Sequence, residues 1–365
     1  MQWRVPVAKK SLTLSEQIDT HIRETGPMSI ATYMGLCLSH PRLGYYTAGR
    51  PIGAAGDFIT APEISQMFGE LVGFFFVNLW QQMGQPTSFT LLELGPGRGT
   101  LMQDALRAAS KADGFENALH LQLFESNAIL KGEQQKRLSQ YSPYWVSEID
   151  AVSDDPIFVV ANEFFDALPI KQFIKTDDGW HERLVGLKDD VRTFGLSPTP
   201  IAESAAPEAV HGAFPGEVLE LSAAAADAMQ RISRRIALQG GAILAIDYGY
   251  GTTQTGETLQ AVKDHAFADL LEAPGEADIS SHVNFEVLGA AAKSTGLAVA
   301  SLADQGEWLI KLGLGERARK LARANPNEAA NIARAIERLT SPEQMGTLFK
   351  VLCAHSPGLK PAGFP

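Results

Sequence analysis

The run Thr90-Leu91-Leu92-Glu93-Leu94 passes without a spacer into Gly95-Pro96-Gly97-Arg98-Gly99, and a helical pattern begins at Thr100. A short apolar run ended by glycine reads as a buried strand. Three glycines at alternate positions let the backbone turn sharply and lie close to a ligand at the N-terminus of the next helix. Strand, glycine turn and helix in that order belong to an α/β fold whose parallel strands are joined by right-handed crossovers. Further strands are expected at 119–124, around Trp145, and at 157–161, 241–248, 297–302 and 348–354, with helices at 100–109, 129–138, 223–238, 285–294 and 317–338.

Upstream of this core, Leu14, Ile18 and Ile22 predict one face of a helix, Gly26-Pro27 a break, and Ser29 the start of a second helix. Residues 41–64 lose periodicity and are rich in glycine and aromatic residues, which marks a site-forming loop rather than a polar linker. Pro62 and Glu63 then lead into a long apolar helix through Met83. Its most lipid-like stretch, 71–80, has about half of the roughly twenty residues a membrane span requires. Residues 180–196 predict an inserted hairpin with Gly186 or Asp189-Asp190 at its turn, and 249–257 a polar loop.

Of the 365 residues, 45% are hydrophobic and 20% charged, which suits a folded chain of one large or two smaller domains. Forty-two acidic against thirty-one basic residues give a net charge of -11, a field that disfavours nucleic acid and anionic membrane surfaces. Cys37 and Cys353 make neither a disulfide framework nor a metal knuckle, so a reducing compartment and no metal are expected. The first residues carry neither a signal h-region nor a clear transit-peptide pattern, so the expected location is cytoplasmic, or the mitochondrial matrix in a eukaryote.

A dinucleotide site reads G-x-G-x-x-G, with its third glycine spaced for a pyrophosphate. Here the spacing is G-x-G-x-G with Glu93 two residues before Gly95, which suits a smaller ligand without phosphate. Glu93 would hold an ammonium while Gly95, Pro96, Gly97 and Gly99 lie against an aminoacyl tail. Glu125, followed by Ser126, ends the next strand, where a carboxylate accepts both hydroxyls of a ribose or else caps the helix beyond it. Together these residues suggest S-adenosylmethionine over a nicotinamide cofactor.

Five blocks, in order along the chain, resemble the MidA family. They are Gly56-Asp57-Phe58-Ile59-Thr60-Ala61-Pro62-Glu63-Ile64-Ser65-Gln66-Met67-Phe68-Gly69-Glu70, Leu92-Glu93-Leu94-Gly95-Pro96-Gly97-Arg98-Gly99-Thr100, Ala161-Asn162-Glu163-Phe164-Phe165-Asp166-Ala167-Leu168-Pro169, Ala245-Ile246-Asp247-Tyr248-Gly249-Tyr250 and Pro274-Gly275-Glu276-Ala277-Asp278-Ile279-Ser280. The resemblance implies a class I S-adenosylmethionine-dependent methyltransferase acting on a protein arginine, with a respiratory complex I subunit as partner during assembly. It implies a Rossmann-like core over 86–357, with a seven-stranded, mostly parallel sheet whose last strand is antiparallel. Around that core are expected a helical N-terminal segment and lid at 1–85, a helical insertion near 305–345 and a tail at 358–365. Other acceptors, and a non-catalytic factor that only binds the cofactor, are the competing readings.

A guanidinium is a charged plane that carboxylates orient best through paired bonds. Glu163 and Asp166 are the candidates for that work, with Asn162 orienting them or touching the cofactor; Asp166 could instead cap a turn. Thr60 is assigned to the cofactor and Asp57 and Glu63 to the substrate, although Thr60 with Glu63 also has capping-box spacing. Asp247 and Tyr248 either contact substrate or fix the loop, and His282 either reaches the site or caps a helix. Phe164 and Phe165 are expected in the core, with one a candidate wall of the methyl channel.

Overall fold

The computed structural model describes residues 12–47, 60–149, 151 and 154–364. Its main sheet is built on seven strands: β1 (Phe89–Leu94), β2 (Leu119–Phe124), β3 (Tyr144–Val146), β4 (Ile157–Asn162), β5 (Gly241–Tyr250), β6 (Ala298–Val299) and β7 (Phe349–His355). Their spatial order is β3-β2-β1-β4-β5-β7-β6. The contacts from β3 to β5 are parallel, and β7 runs antiparallel to both neighbours. Every residue of β1 and β4 is buried, which is why these strands read as unbroken apolar runs rather than alternating ones. Leu91, Phe158 and Leu244 face one core; Leu92, Val159 and Ile243 face the other.

The N-terminal part holds α1 (Leu14–Thr25) and α2 (Ile30–Ser39). A capping box between Thr13 and Glu16 starts α1, and the Ser29 side chain caps α2. Between them, Met28 and Ser29 pair with Val185 and Leu184, so this segment is stitched to the insertion. The insertion is more than a hairpin. Gly179–Lys188 and Val191–Leu196 do pair, and their turn is Asp189-Asp190, with φ of 51° and 62°, the left-handed pair a tight two-residue turn needs. Gly186 lies within its strand. With Lys171–Thr176, Val218–Leu221 and Met28–Ser29 these strands form a five-stranded second sheet. A third sheet of Gln260–Lys263, Ala266–Ala268 and Asp278–Ser280 comes after the expected polar loop.

Two expected helices divide. The stretch after Thr60 is a single turn, Ala61–Ile64, then α3 (Gln66–Gln82), because Ser65 is extended and its hydroxyl accepts from the Met67 amide. The expected helix at 317–338 is two, Leu314–Ala324 and Ala329–Thr340, parted at Asn325-Pro326. Of the expected strand at 297–302 only β6 forms, and a second short piece, Ala303–Asp304, follows it, both on β7. At the other end of the chain, Phe364 packs on Phe75 and Trp308. Among the described residues no helix is long and apolar enough to cross a membrane.

Helix α3 lies tightly across α4 (Thr100–Ala109), the helix that leaves the glycine turn. A Cβ on Gly73 would stand 2.2 Å from the Ala105 carbonyl oxygen, so only glycine permits this approach. Gly73→Ala is expected to lower stability by about 1–3 kcal/mol, the usual range for overpacking. Thermal unfolding of the purified variant would show it as a lower Tm.

Candidate active site

The carboxyl ends of β1, β2, β4 and β5 surround a cavity of about 710 Å³, within the roughly 300–1,000 Å³ typical of small-molecule sites. Its first wall is the glycine turn. Gly95, Gly97 and Gly99 have φ of 63°, 51° and 78°, all left-handed. The Gly95 amide donates to the Phe124 carbonyl at 3.0 Å and the Gly99 amide to the Pro96 carbonyl at 2.7 Å. At the end of β1, Glu93 is 3% exposed, and its Oε2 has no donor within the protein. Burial, followed by the nearby Glu125, pushes its carboxyl up to about 8.

Glu125 closes β2 and accepts from the Asn127 amide at 2.8 Å and from Gln134 Nε2 at 3.2 Å. Gln134, on α5 (Ala128–Leu138), also donates Nε2 to the Gly97 carbonyl at 2.6 Å and accepts from Trp145 Nε1 at 2.7 Å. It clamps the glycine turn to Glu125, a role with no sequence signal because a lone glutamine on a helix carries none. Ser126 and Pro96 line the cavity beside these groups.

The opposite wall is the loop that leaves β4. Glu163 takes up φ of 50°, unusual for a residue with a side chain. Its Oε1 accepts from the Asn162 side chain at 3.2 Å and the Ala61 amide at 3.3 Å. Asp166 is 7% exposed; its Oδ2 accepts from the Tyr248 hydroxyl at 2.6 Å and its Oδ1 has no donor, nor does Asn162 Oδ1. Burial pushes Glu163 up to about 8, with Asp166 adding to the shift, and burial pushes Asp166 up to about 6. Asp278 also lines this wall and accepts from the Tyr46 hydroxyl at 2.8 Å. Asp278 stands in the fifth of the family blocks, where nothing local in the sequence distinguishes it as a cavity residue.

The remaining candidates separate. Tyr248 lines the cavity. Asp247, for which the sequence leaves both substrate contact and loop fixing open, is fully buried and lies off the cavity lining; Oδ2 accepts the amides of Phe164, Phe165 and Asp166, and Oδ1 accepts that of Tyr248. It fixes the acidic loop. His282 is also off the lining, its ring packed edge-on against Tyr248 at 5.5 Å. Thr60 and Glu63 line the cavity, but the expected capping box is absent: Glu63 instead accepts from the Thr100 hydroxyl at 2.6 Å. A carboxylate at the N-terminus of α4 thus supplies the negative charge that the helix dipole favours there. Asp57 lies outside the described residues. Phe165 is buried as expected, whereas Phe164 lines the cavity, packed against Gly95.

The strand order, the glycine turn and the acid ending the second strand are those of a class I S-adenosylmethionine-dependent methyltransferase. The family described as S-adenosyl-L-methionine-dependent methyltransferase matches residues 71–303, and this chain belongs to it. Among its relatives, the Danio rerio protein named protein arginine methyltransferase NDUFAF7, mitochondrial, is 33% identical over 93% of this chain and 86% of its own length. The Homo sapiens protein of the same name is 35% identical over 90% of this chain and 80% of its own. A crystal structure of a Burkholderia thailandensis protein bound to S-adenosyl-homocysteine covers 96% of this chain and 93% of its own, with a TM-score of 0.83 at 24% identity, a likeness of fold.

The raised carboxyls make stability pH-dependent with a definite sign. Between the ordinary carboxylate range and about 8, folded Glu93 and Glu163 hold protons that the unfolded chain releases, so stability falls as pH rises across that window. The Tm of the ligand-free protein is expected to fall from pH 5 to pH 8, and Glu163→Gln to shrink that fall.

Proposed function

We propose that this methyltransferase acts on an arginine side chain of a protein partner, and that a respiratory complex I subunit is the partner the MidA resemblance favours. The observation that carries the reading is a cavity wall of three carboxylates, Glu163, Asp166 and Asp278, in a lining whose described residues include no lysine. Arg98, the basic residue in that lining, is paired with Glu133 at 3.3 Å. Gathering one buried and two half-buried carboxylates is costly, and an always-charged guanidinium with five N–H donors matches both their charge and the donorless Oδ1 of Asp166. The names of the Danio rerio and Homo sapiens relatives support the same acceptor.

Glu93 Oε2, a buried acceptor without a donor beside a glycine turn, fits the ammonium end of S-adenosylmethionine. Gly95, Pro96, Gly97 and Gly99 would lie along its aminoacyl tail, and Glu125, held by Gln134, would take its ribose hydroxyls. When bound, this cofactor supplies a methyl group already activated on a positively charged sulfur.

The work left to the chain is positioning and one proton. Asp166 Oδ1 and the Glu163 carboxylate accept guanidinium N–H bonds and hold its plane, beside the Phe164 ring that also lines the cavity. A guanidinium that gains a methyl group must lose a proton, and Glu163, pushed up to about 8, is matched to accept it near neutral pH.

Glu163→Gln and Asp166→Asn are each expected to keep S-adenosyl-homocysteine binding in calorimetry while lowering kcat/KM for methyl transfer about 10²–10⁴-fold. The assay is labelled methyl transfer into a lysate of cells lacking this protein, with mass spectrometry of the labelled band. Unimpaired labelling by both variants, or label on a residue other than arginine, would sink the proposal. Because the free enzyme's acids must ionise to take the cation, kcat/KM should rise from pH 6 to pH 8, and less steeply in Glu163→Gln.

A further inference from the structure

Tyr46 belongs to neither motif block around the cavity, yet it is bonded to both sides of it. It sits on the turn that ends α2, where the Tyr45 amide donates to the Cys37 carbonyl at 2.8 Å and the Tyr46 amide to the Leu38 carbonyl at 3.1 Å. Its carbonyl accepts from Asn127 Nδ2 at 2.5 Å. Asn127 in turn caps α5 through Oδ1 and gives its own amide to Glu125, so this contact belongs to the cofactor side. The Tyr46 phenol points the other way and donates to Asp278 Oδ1 at 2.8 Å. Backbone and side chain of one residue therefore engage opposite halves of the site.

The acceptor side repeats one arrangement twice. Tyr248 donates to Asp166 Oδ2 and Tyr46 donates to Asp278 Oδ1. A carboxylate that accepts from a fixed hydroxyl through one oxygen loses its freedom to rotate, and its second oxygen is aimed. At Asp166 that second oxygen is buried and without a donor. A tyrosine hydroxyl thus fixes the orientation of each carboxylate, and a planar, fork-shaped cation meets oriented acceptors rather than a diffuse negative field.

We infer that Tyr46 is a positioning residue for the acceptor: its hydroxyl orients Asp278 toward the incoming guanidinium, while its carbonyl keeps the wall in register with the cofactor side. This rests on the arginine reading above. It assigns the N-terminal segment a part in acceptor recognition, and it makes Asp278 the third acid of that site.

Tyr46→Phe removes the hydroxyl and keeps the ring and the carbonyl. Expected is a fall in kcat/KM for methyl transfer of about 10- to 100-fold, the worth of a hydrogen bond to a charged group, carried mainly by the apparent KM. The probe is a dilution series of lysate from cells lacking this protein. Binding of S-adenosyl-homocysteine should stay within about twofold, because a merely structural role would move cofactor affinity and Tm together. Tyr46→Phe combined with Asp278→Asn should be no slower than Asp278→Asn alone, since both act through one bond. Unchanged kcat/KM in Tyr46→Phe, a matching loss of cofactor affinity, or effects that multiply in the double variant would each overturn the inference. If Glu163→Gln and Asp166→Asn abolish labelling while Tyr46→Phe is unimpaired, the arginine reading stands and only the role of Tyr46 falls. If the wild-type protein labels no arginine, both fall.

Discussion

The carboxylate of Asp247 accepts four backbone amides, three from the loop at 164–166 and one from Tyr248. That loop carries Glu163 in a left-handed conformation, which costs of order 1–3 kcal/mol for a residue with a side chain. It also brings Asp166 close to Glu163, and like charges held close repel. Neither feature would persist on a loop free to relax. A buried carboxyl within β5, itself locked between two neighbouring strands, supplies the restraint through its amide bonds. The acidic wall thus owes its shape to a carboxylate that does not touch the cavity.

The cavity is arranged so that its polar groups are incomplete without a ligand. Glu93 Oε2, Asn162 Oδ1 and Asp166 Oδ1 are buried acceptors without donors, a state that costs about 1–3 kcal/mol for each group left in this way. They lie on two walls, one at the glycine turn and one at the β4 loop. A donor-rich cofactor end and a donor-rich side chain would satisfy them separately. Binding energy is then drawn from relief of the site's own desolvation as well as from new contacts.

Much of the core was legible because it rests on local pattern. The glycine turn, the unbroken apolar runs of β1 and β4, and the helix from 100 to 109 each announce themselves within a dozen residues. Of the second sheet only the hairpin at 180–196 was legible, and its other strands and the third sheet were not, because strands of two to six residues between turns show no usable period. Gln134 and Tyr46 gain their importance from partners dozens or hundreds of positions away. The Thr60 and Glu63 pair shows the opposite error: a local signature was present, but the Thr100 hydroxyl offered Glu63 a competing partner. Asp247 stood in a recognisable block, yet its use as an amide anchor depends on the β4 loop arriving beside it.

The bond from Tyr46 to Asp278 spans 232 residues of chain, and the strand pair of Met28 with Val185 joins the first helices to the insertion. Contacts of such long range are slow to form because loop closure precedes any gain. As the chain leaves the ribosome, the glycine turn and β2 emerge well before Asp247 and Asp278. Nascent fragments that end before residue 278 therefore contain the glycine turn without the complete acidic wall. The wall with all three of its carboxylates exists only once residue 278 of 365 has been made, because Asp278 stands on a late strand.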